Sequence, residues 1–205
     1  MALMDEAAGW GLVSRVLHWG SAVTVVLAMA TGLWLSDLST SYGAARDAAP
    51  SDLLWAGTHH TLGLFVAIWT FLRVNWRVQN VHPQAPEGHS RLRHGLARLE
   101  QAVLLGLLFL LPLSGWAAVS TAAADLPMYF LGLEVPRMYE EPPGTSLVHD
   151  VAAVVHGWTW IVVAVLVGVH VAAALWTQFR EGDPVIWRMW RGAPVESPSD
   201  PVQLP

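Results

Sequence analysis

The 205-residue chain has no cysteine and no lysine, and only 13% of its residues are charged. Without cysteine there are no structural disulfides, no thiolate-held iron–sulfur clusters and no covalently attached c-type haem. Without lysine, every fixed positive charge is an arginine, and the eleven arginines form no basic stripe, which argues against nucleic acid as a partner. Carboxylates are missing from the centres of the apolar runs, where a transported cation or proton would want them.

What is abundant is apolar surface. Hydrophobic residues make up 54% of the chain, too many for an ordinary soluble domain. They gather in four runs: VLHWGSAVTVVLAMATGLWL (16–35), LLWAGTHHTLGLFVAIWTFLRV (53–74), AVLLGLLFLLPLSGWAAVS (102–120) and a fourth over 151–177. A hydrocarbon core of about 30 Å takes roughly 20 helical residues, so each run is long enough to span. Backbone groups in lipid find no water to bond, so the spans should be helices. The expected fold is all-α: an integral membrane four-helix bundle with up-down topology, one domain over 1–192. Many of the twelve tryptophans stand near the ends of the runs, as an interfacial aromatic belt would. The flank MALMDEAAGW is acidic rather than basic, and the run behind it is longer than a signal-peptide core, so the first span is expected to be retained.

Arginine sets the orientation. With the N-terminus inside, nine of the eleven arginines fall on the inner side, and only Arg46 and Arg137 on the outer. That positive-inside bias puts both termini in the cytoplasm. The segment 78–95 then reads as a Pro-rich inner loop, and 121–150 as a long outer loop with an acidic patch at Glu140 and Glu141. The stretch PVIWRMWR (184–191) suits an interfacial anchor. The tail, 193–205, reads as disordered cytoplasmic chain.

Nine histidines are present. His82, His89 and His94 read as solvated loop residues. His156 and His170 are fourteen residues apart on the fourth run, close to four helical turns, so they share a face about 21 Å apart along the axis. With the fourth helix running inward, His156 stands at an outer level and His170 at an inner one. His18 begins the first helix at the inner level; His59 and His60 begin the second at the outer level. Each level thus pairs one histidine of the fourth helix with one from another. One intramembrane histidine fits packing or proton relay as well as ligation. Two matched pairs fit axial imidazoles holding a b-type haem at each level: His18 with His170 inside, His59 with His156 outside. His59 and His60 point about 100° apart, so only one can face a given haem, and geometry alone does not choose. Gly32, fourteen residues after His18, and Gly63, one turn after His59, are placed to let a porphyrin approach; both also suit plain helix packing. Arg73, fourteen residues after His59, is placed to pair with an inner propionate or to act as a positive-inside anchor. His149, seven residues before His156, reads as a loop residue with at most a structural or gating role.

Taken in order, RVLHW (15–19) with TGLWL (31–35), HHTLG with RVNWR (59–63, 73–77), LPLSGW (111–116), YFLGLEVP (129–136) and the His-x13-His segment running into VAAAL (156–175) resemble the bacterial cytochrome b-561 family of four-helix dihaem membrane cytochromes. The resemblance covers nearly the whole chain. The family's HxxxG on the second helix falls on His59, and its four axial histidines on His18, His59, His156 and His170. It implies two haem b groups and electron transfer at the bacterial cytoplasmic membrane, in contact with lipid, exchanging with a quinone (ubiquinone or menaquinone). It also implies kinship with superoxide oxidases, whose donor is superoxide, and with membrane subunits of hydrogenases and formate dehydrogenases. The chain departs from many relatives at the start of the third helix, where Arg98, Gln101 and Leu105 replace histidines and a tyrosine. Two other readings remain: a haem-free transporter whose histidines line a proton or metal path, and an anchoring or electron-transfer subunit of a dehydrogenase.

Overall fold

Each apolar run lies within a longer helix, which extends past it at both ends except in the third, where run and helix end together at Ser120. The structure, a computed structural model, describes residues 2–6, 9–42, 50–80, 91–121, 127–139 and 147–192, with the side chains of 37–42 and 50–52 left aside. Arg46, His82, His89, Glu140, Glu141 and the tail 193–205 lie outside the described residues. The long helices are α1 (Leu12–Tyr42), α2 (Pro50–Gln79), α3 (Arg91–Ser120) and α4 (Leu147–Arg180), and a short α5 (Val185–Arg191) follows.

Three of them, α1 through Ser36, α3 and α4, are long and apolar enough to cross a membrane. α2, the fourth of the expected runs, is not among them. That helix is as long as α1 and α3, but His59 and His60 in its first half and Arg73, Asn75 and Arg77 in its second dilute its apolar character. It packs closely against α1, and α3 packs closely against α4, with a lesser α2–α3 seam between the two pairs.

One residue from each long helix makes the common core: Val25, Val66, Leu108 and Val163, the last fully buried. Val25 is seven residues after His18, Val66 seven after His59, and Val163 seven after His156 and seven before His170. Seven residues are about two turns, or about 10.5 Å. The core is therefore an aliphatic layer midway between the two histidine levels, and burying its branched side chains on all four helices sets how each is rotated.

Two loop expectations change. Residues 91–95 are the first turn of α3 rather than loop. Within 121–150, Met128–Phe130 and Leu133–Val135 form an antiparallel hairpin, β1 and β2, turned by Leu131 (φ 53°) and Gly132 (φ 81°). Two positive-φ residues in a two-residue turn are what a hairpin's twist requires. The hairpin lies over the first half of α2 and the last turns of α3, at the end expected to be outer. Phe130 packs on Phe65 with ring centroids 5.2 Å apart, the Leu131 N–H donates to Thr61 Oγ1 (3.2 Å), and the Trp116 indole donates to the Pro136 carbonyl (3.1 Å).

The start of α1 and the chain's last helix meet at the opposite end. Asp5 accepts the Gly11 N–H (2.7 Å) and the Ser14 hydroxyl (2.6 Å), which satisfies groups that a helix start leaves open. The buried Arg15 guanidinium donates to the Trp190 carbonyl, and the Trp19 indole to that of Met189 (3.1 Å). On α5 the Arg191 guanidinium lies over the Trp187 ring, 4.6 Å from its centroid, and Trp187 and Trp190 stay exposed. An amphipathic Trp/Arg segment beside a helix end is suited to the membrane interface.

Candidate functional site: two histidine pairs

Four of the histidines meet in two pairs. The His18 and His170 rings are 6.2 Å apart between centroids, tilted by 46°. The His59 and His156 rings are also 6.2 Å apart, at 90°. Both pairs bridge to α4, whose backbone does not pack closely on α1 or α2. The rings meet across helices whose backbones are not in close contact.

The ring nitrogens show which atom is committed and which is free. His59 Nδ1–H donates to the Ala28 carbonyl (3.0 Å), with Thr31 Oγ1 at 3.3 Å. His156 Nδ1–H donates to the Leu111 carbonyl (2.9 Å), with Ser114 Oγ at 3.4 Å. His170 Nδ1–H donates to Glu100 Oε2 (3.3 Å). Carbonyls and carboxylates only accept, so each bond assigns the proton to Nδ1 and leaves Nε2 with its lone pair. Metal-bound histidines carry this arrangement, the second nitrogen bonded to an outer partner that fixes tautomer and ring orientation.

Both outer rings are seated on glycine. A Cβ at Gly32 would lie 2.9 Å from His59 Cε1, and one at Gly115 would lie 2.9 Å from His156 Cε1. Gly32 therefore holds the imidazole of its neighbour, where the sequence suggested room for a porphyrin. Gly115, inside LPLSGW, plays the same part for His156 and was not singled out; its one signal was its place seven residues beyond the core residue Leu108. A Cβ at Gly63 would meet nothing within 4 Å, so that position does face open space. Pro112 loosens its turn of α3 by removing one backbone N–H, and the carbonyl that His156 uses belongs to the residue before it.

The inner level is polar. Arg73 reaches α1 and donates to Ser21 Oγ (3.1 Å), whose hydroxyl donates to the His18 carbonyl (2.9 Å). Arg77 donates to Gln101 Oε1 (3.3 Å). Arg98 is exposed on α3. Glu100 escaped the sequence analysis, because a carboxylate near a helix start reads as solvated surface.

His60 does not join a pair. Its ring is 6.4 Å from that of His59, and its buried Nδ1 lacks a hydrogen-bond partner among the described residues. His149 is helical, in the first turn of α4, and its Nδ1–H donates to the Ala118 carbonyl of α3 (3.0 Å), a tie between helices.

The geometry limits what the pairs can hold. Among the described residues no three His, Cys, Asp or Glu side chains gather around one point. Two protein donors are too few for a bare zinc ion, which takes at least three protein ligands. They suffice for a macrocycle that brings its own equatorial donors. Two imidazole–metal bonds of about 2.0–2.1 Å, plus roughly 1.1 Å from each ring centroid to its nitrogen, correspond to a centroid separation of about 6.3 Å. Both pairs stand at that separation, so the residues fit a bis-histidine haem at either level.

The profile of the family described as prokaryotic cytochrome b561 matches residues 9–192. The chain belongs to the prokaryotic cytochrome b561 family. It is also similar to cytochrome b561 homolog 2 of Escherichia coli (strain K12), 29% identical over 189 residues that cover 92% of this chain and 95% of that protein. Cytochrome b561 proteins are membrane proteins that bind haem b and transfer electrons. In this cytochrome b561 the matched region takes in all four long helices, the hairpin and α5.

Proposed function

We propose that the chain is a dihaem b-type cytochrome that carries electrons across the bacterial cytoplasmic membrane, to or from a quinone, ubiquinone or menaquinone. The carrying observation is the pair of matched histidine couples, each 6.2 Å between centroids, on either side of one aliphatic layer. His18 and His170 would hold the inner haem, and His59 and His156 the outer one. When bound, haem b supplies a reversible one-electron couple.

The chain's own residues do the rest. Nδ1 bonds to Ala28, Leu111 and Glu100 keep Nε2 of His59, His156 and His170 free for a metal. Val25, Val66, Leu108 and Val163 keep water out between the levels. Gly63 leaves clear space beside α2 for the outer group, and Arg73, bonded to Ser21 on α1, offers positive charge to the inner one. Arg77 and Gln101, joined at the inner end, are candidates to meet a quinone headgroup. Superoxide as donor, or a redox protein or dehydrogenase partner at the outer face, are finer forms of the same reading.

In this proposal α2 spans with the other three helices, in a single domain over 1–192. In the same proposal both termini are cytoplasmic, supported by Arg15 and Trp19, which bind the carbonyls of α5 and so bring the start of α1 and α5 to one side, the side with most arginines. External protease should spare the tail after Gly192 in intact spheroplasts, and cleavage there would reverse the orientation.

The deciding experiment is a dithionite-reduced minus oxidised spectrum of purified protein with haem quantified per chain. Two b haems are expected. One would mean a pair is misassigned, and none would leave the histidines as a transport path.

A further inference from the structure

The two levels give their histidines different outer partners. His59 and His156 donate from Nδ1 to backbone carbonyls, which carry no net charge. His170 donates to the carboxyl group of Glu100, at 3.3 Å from Oε2. Glu100 is shielded, with 18% of its side chain exposed, and its second oxygen, Oε1, is buried without a hydrogen-bond partner among the described residues. So shielded, this carboxyl group acts chiefly on His170. It stands one residue before Gln101 at the inner end of α3, the helix that packs most closely on α4.

We infer that Glu100 is a positioning residue for the inner haem: its carboxyl group orients His170, strengthens it as a donor and lowers the reduction potential of the His18–His170 haem relative to what a carbonyl partner would set. The inference rests on the dihaem reading. A hydrogen bond from Nδ1 to a carboxylate is charge-assisted, and it moves electron density toward Nε2. A more basic axial ligand favours the more positively charged, oxidised iron, and hydrogen bonding around the ligands is one of the levers by which a protein sets haem potential. Among the described residues the outer pair has no such group, so the effect belongs to one level.

The test is a spectroelectrochemical titration of the full-length purified holoprotein, wild type against E100Q, with haem per chain and the low-spin ferric electron paramagnetic resonance spectrum recorded on the same samples. Exposed R98A serves as a control for a charge change on the same turn that touches no histidine. In E100Q one haem should become at least about tenfold easier to reduce, ~59 mV for one electron, while the other stays within twofold. The resonance of the shifted haem should move, and R98A should move neither. Two haems with unmoved potentials in E100Q would overturn the inference and leave the dihaem reading intact. Equal shifts of both haems in E100Q would also overturn it, since a general field would then be the cause. If E100Q loses a haem, E100D decides: retention of both haems supports the carboxyl role, and loss in E100D as well overturns it. Fewer than two haems in the wild type would instead defeat the reading on which the inference stands.

Discussion

The outer and inner histidine levels have the same ring separation and different surroundings. Outside, each imidazole lies on a glycine of the preceding helix and bonds a backbone carbonyl. Inside, the neighbours are Arg73, the Arg77–Gln101 pair and Glu100. Ligation demands only that two rings face each other at the right distance. What differs is charge, and charge tunes an iron without changing its ligands. One helical repeat is thus used twice, with neutral partners at one end and ionisable partners at the other.

The largest effects should come from the rings themselves. His18→Ala and His170→Ala should each remove one haem per chain, and the same one, by quantified spectra. His59→Ala and His156→Ala should each remove the other. Loss of different haems within a pair would break the two-level comparison outright. His60→Ala should keep both, because its ring faces no partner across the bundle.

The glycine seats come next. Gly115→Ala would set a methyl 2.9 Å from His156 Cε1 and Gly32→Ala one equally near His59 Cε1. Overpacking of this kind costs about 1–3 kcal/mol. Outer-haem occupancy should fall in both variants while the inner haem stays. A loss shared by both haems would mean that these glycines serve the bundle as a whole.

Val163→Ala probes what the levels share. Removing two buried methyl groups should cost about 2 kcal/mol in thermal or denaturant unfolding. It should leave the two potentials equally displaced, or equally unmoved, because Val163 is seven residues from each histidine of α4. A one-sided response would place the core nearer one level in its influence.

Gly63→Ala should be the mildest. With nothing within 4 Å of the added methyl, unfolding should stay within about 0.5 kcal/mol of wild type. Any haem lost should be the outer one, and loss of the inner haem would remove Gly63 from the comparison.

Much of this was readable along the chain where it depended on a single helix. His156 and His170 share a face because fourteen residues nearly complete four turns, and the same count linked His18 to Gly32 and His59 to Arg73. The hairpin was missed because its turn is Leu131–Gly132, without the Asn-Gly or Asp-Gly pair that marks such turns. The helix over 91–95 was missed because its polar residues follow a Pro-rich segment. α2 is the least apolar of the four because the histidines and arginines read as ligands and anchors are also polar groups.

The sequence by itself determined the apolar core of each long helix, the histidine spacing and the family, because hydropathy and the 3.6-residue period act between near neighbours in the chain. The HxxxG spacing had pointed to His59 over His60, but only the tertiary structure set His59 against His156, seated the rings on Gly32 and Gly115, and brought Glu100 to His170. Those contacts join residues that are 27 to 97 positions apart on different helices. They depend on how each helix is rotated about its axis, and that rotation is set by the packing of Val25, Val66, Leu108 and Val163 against one another, which no local period contains.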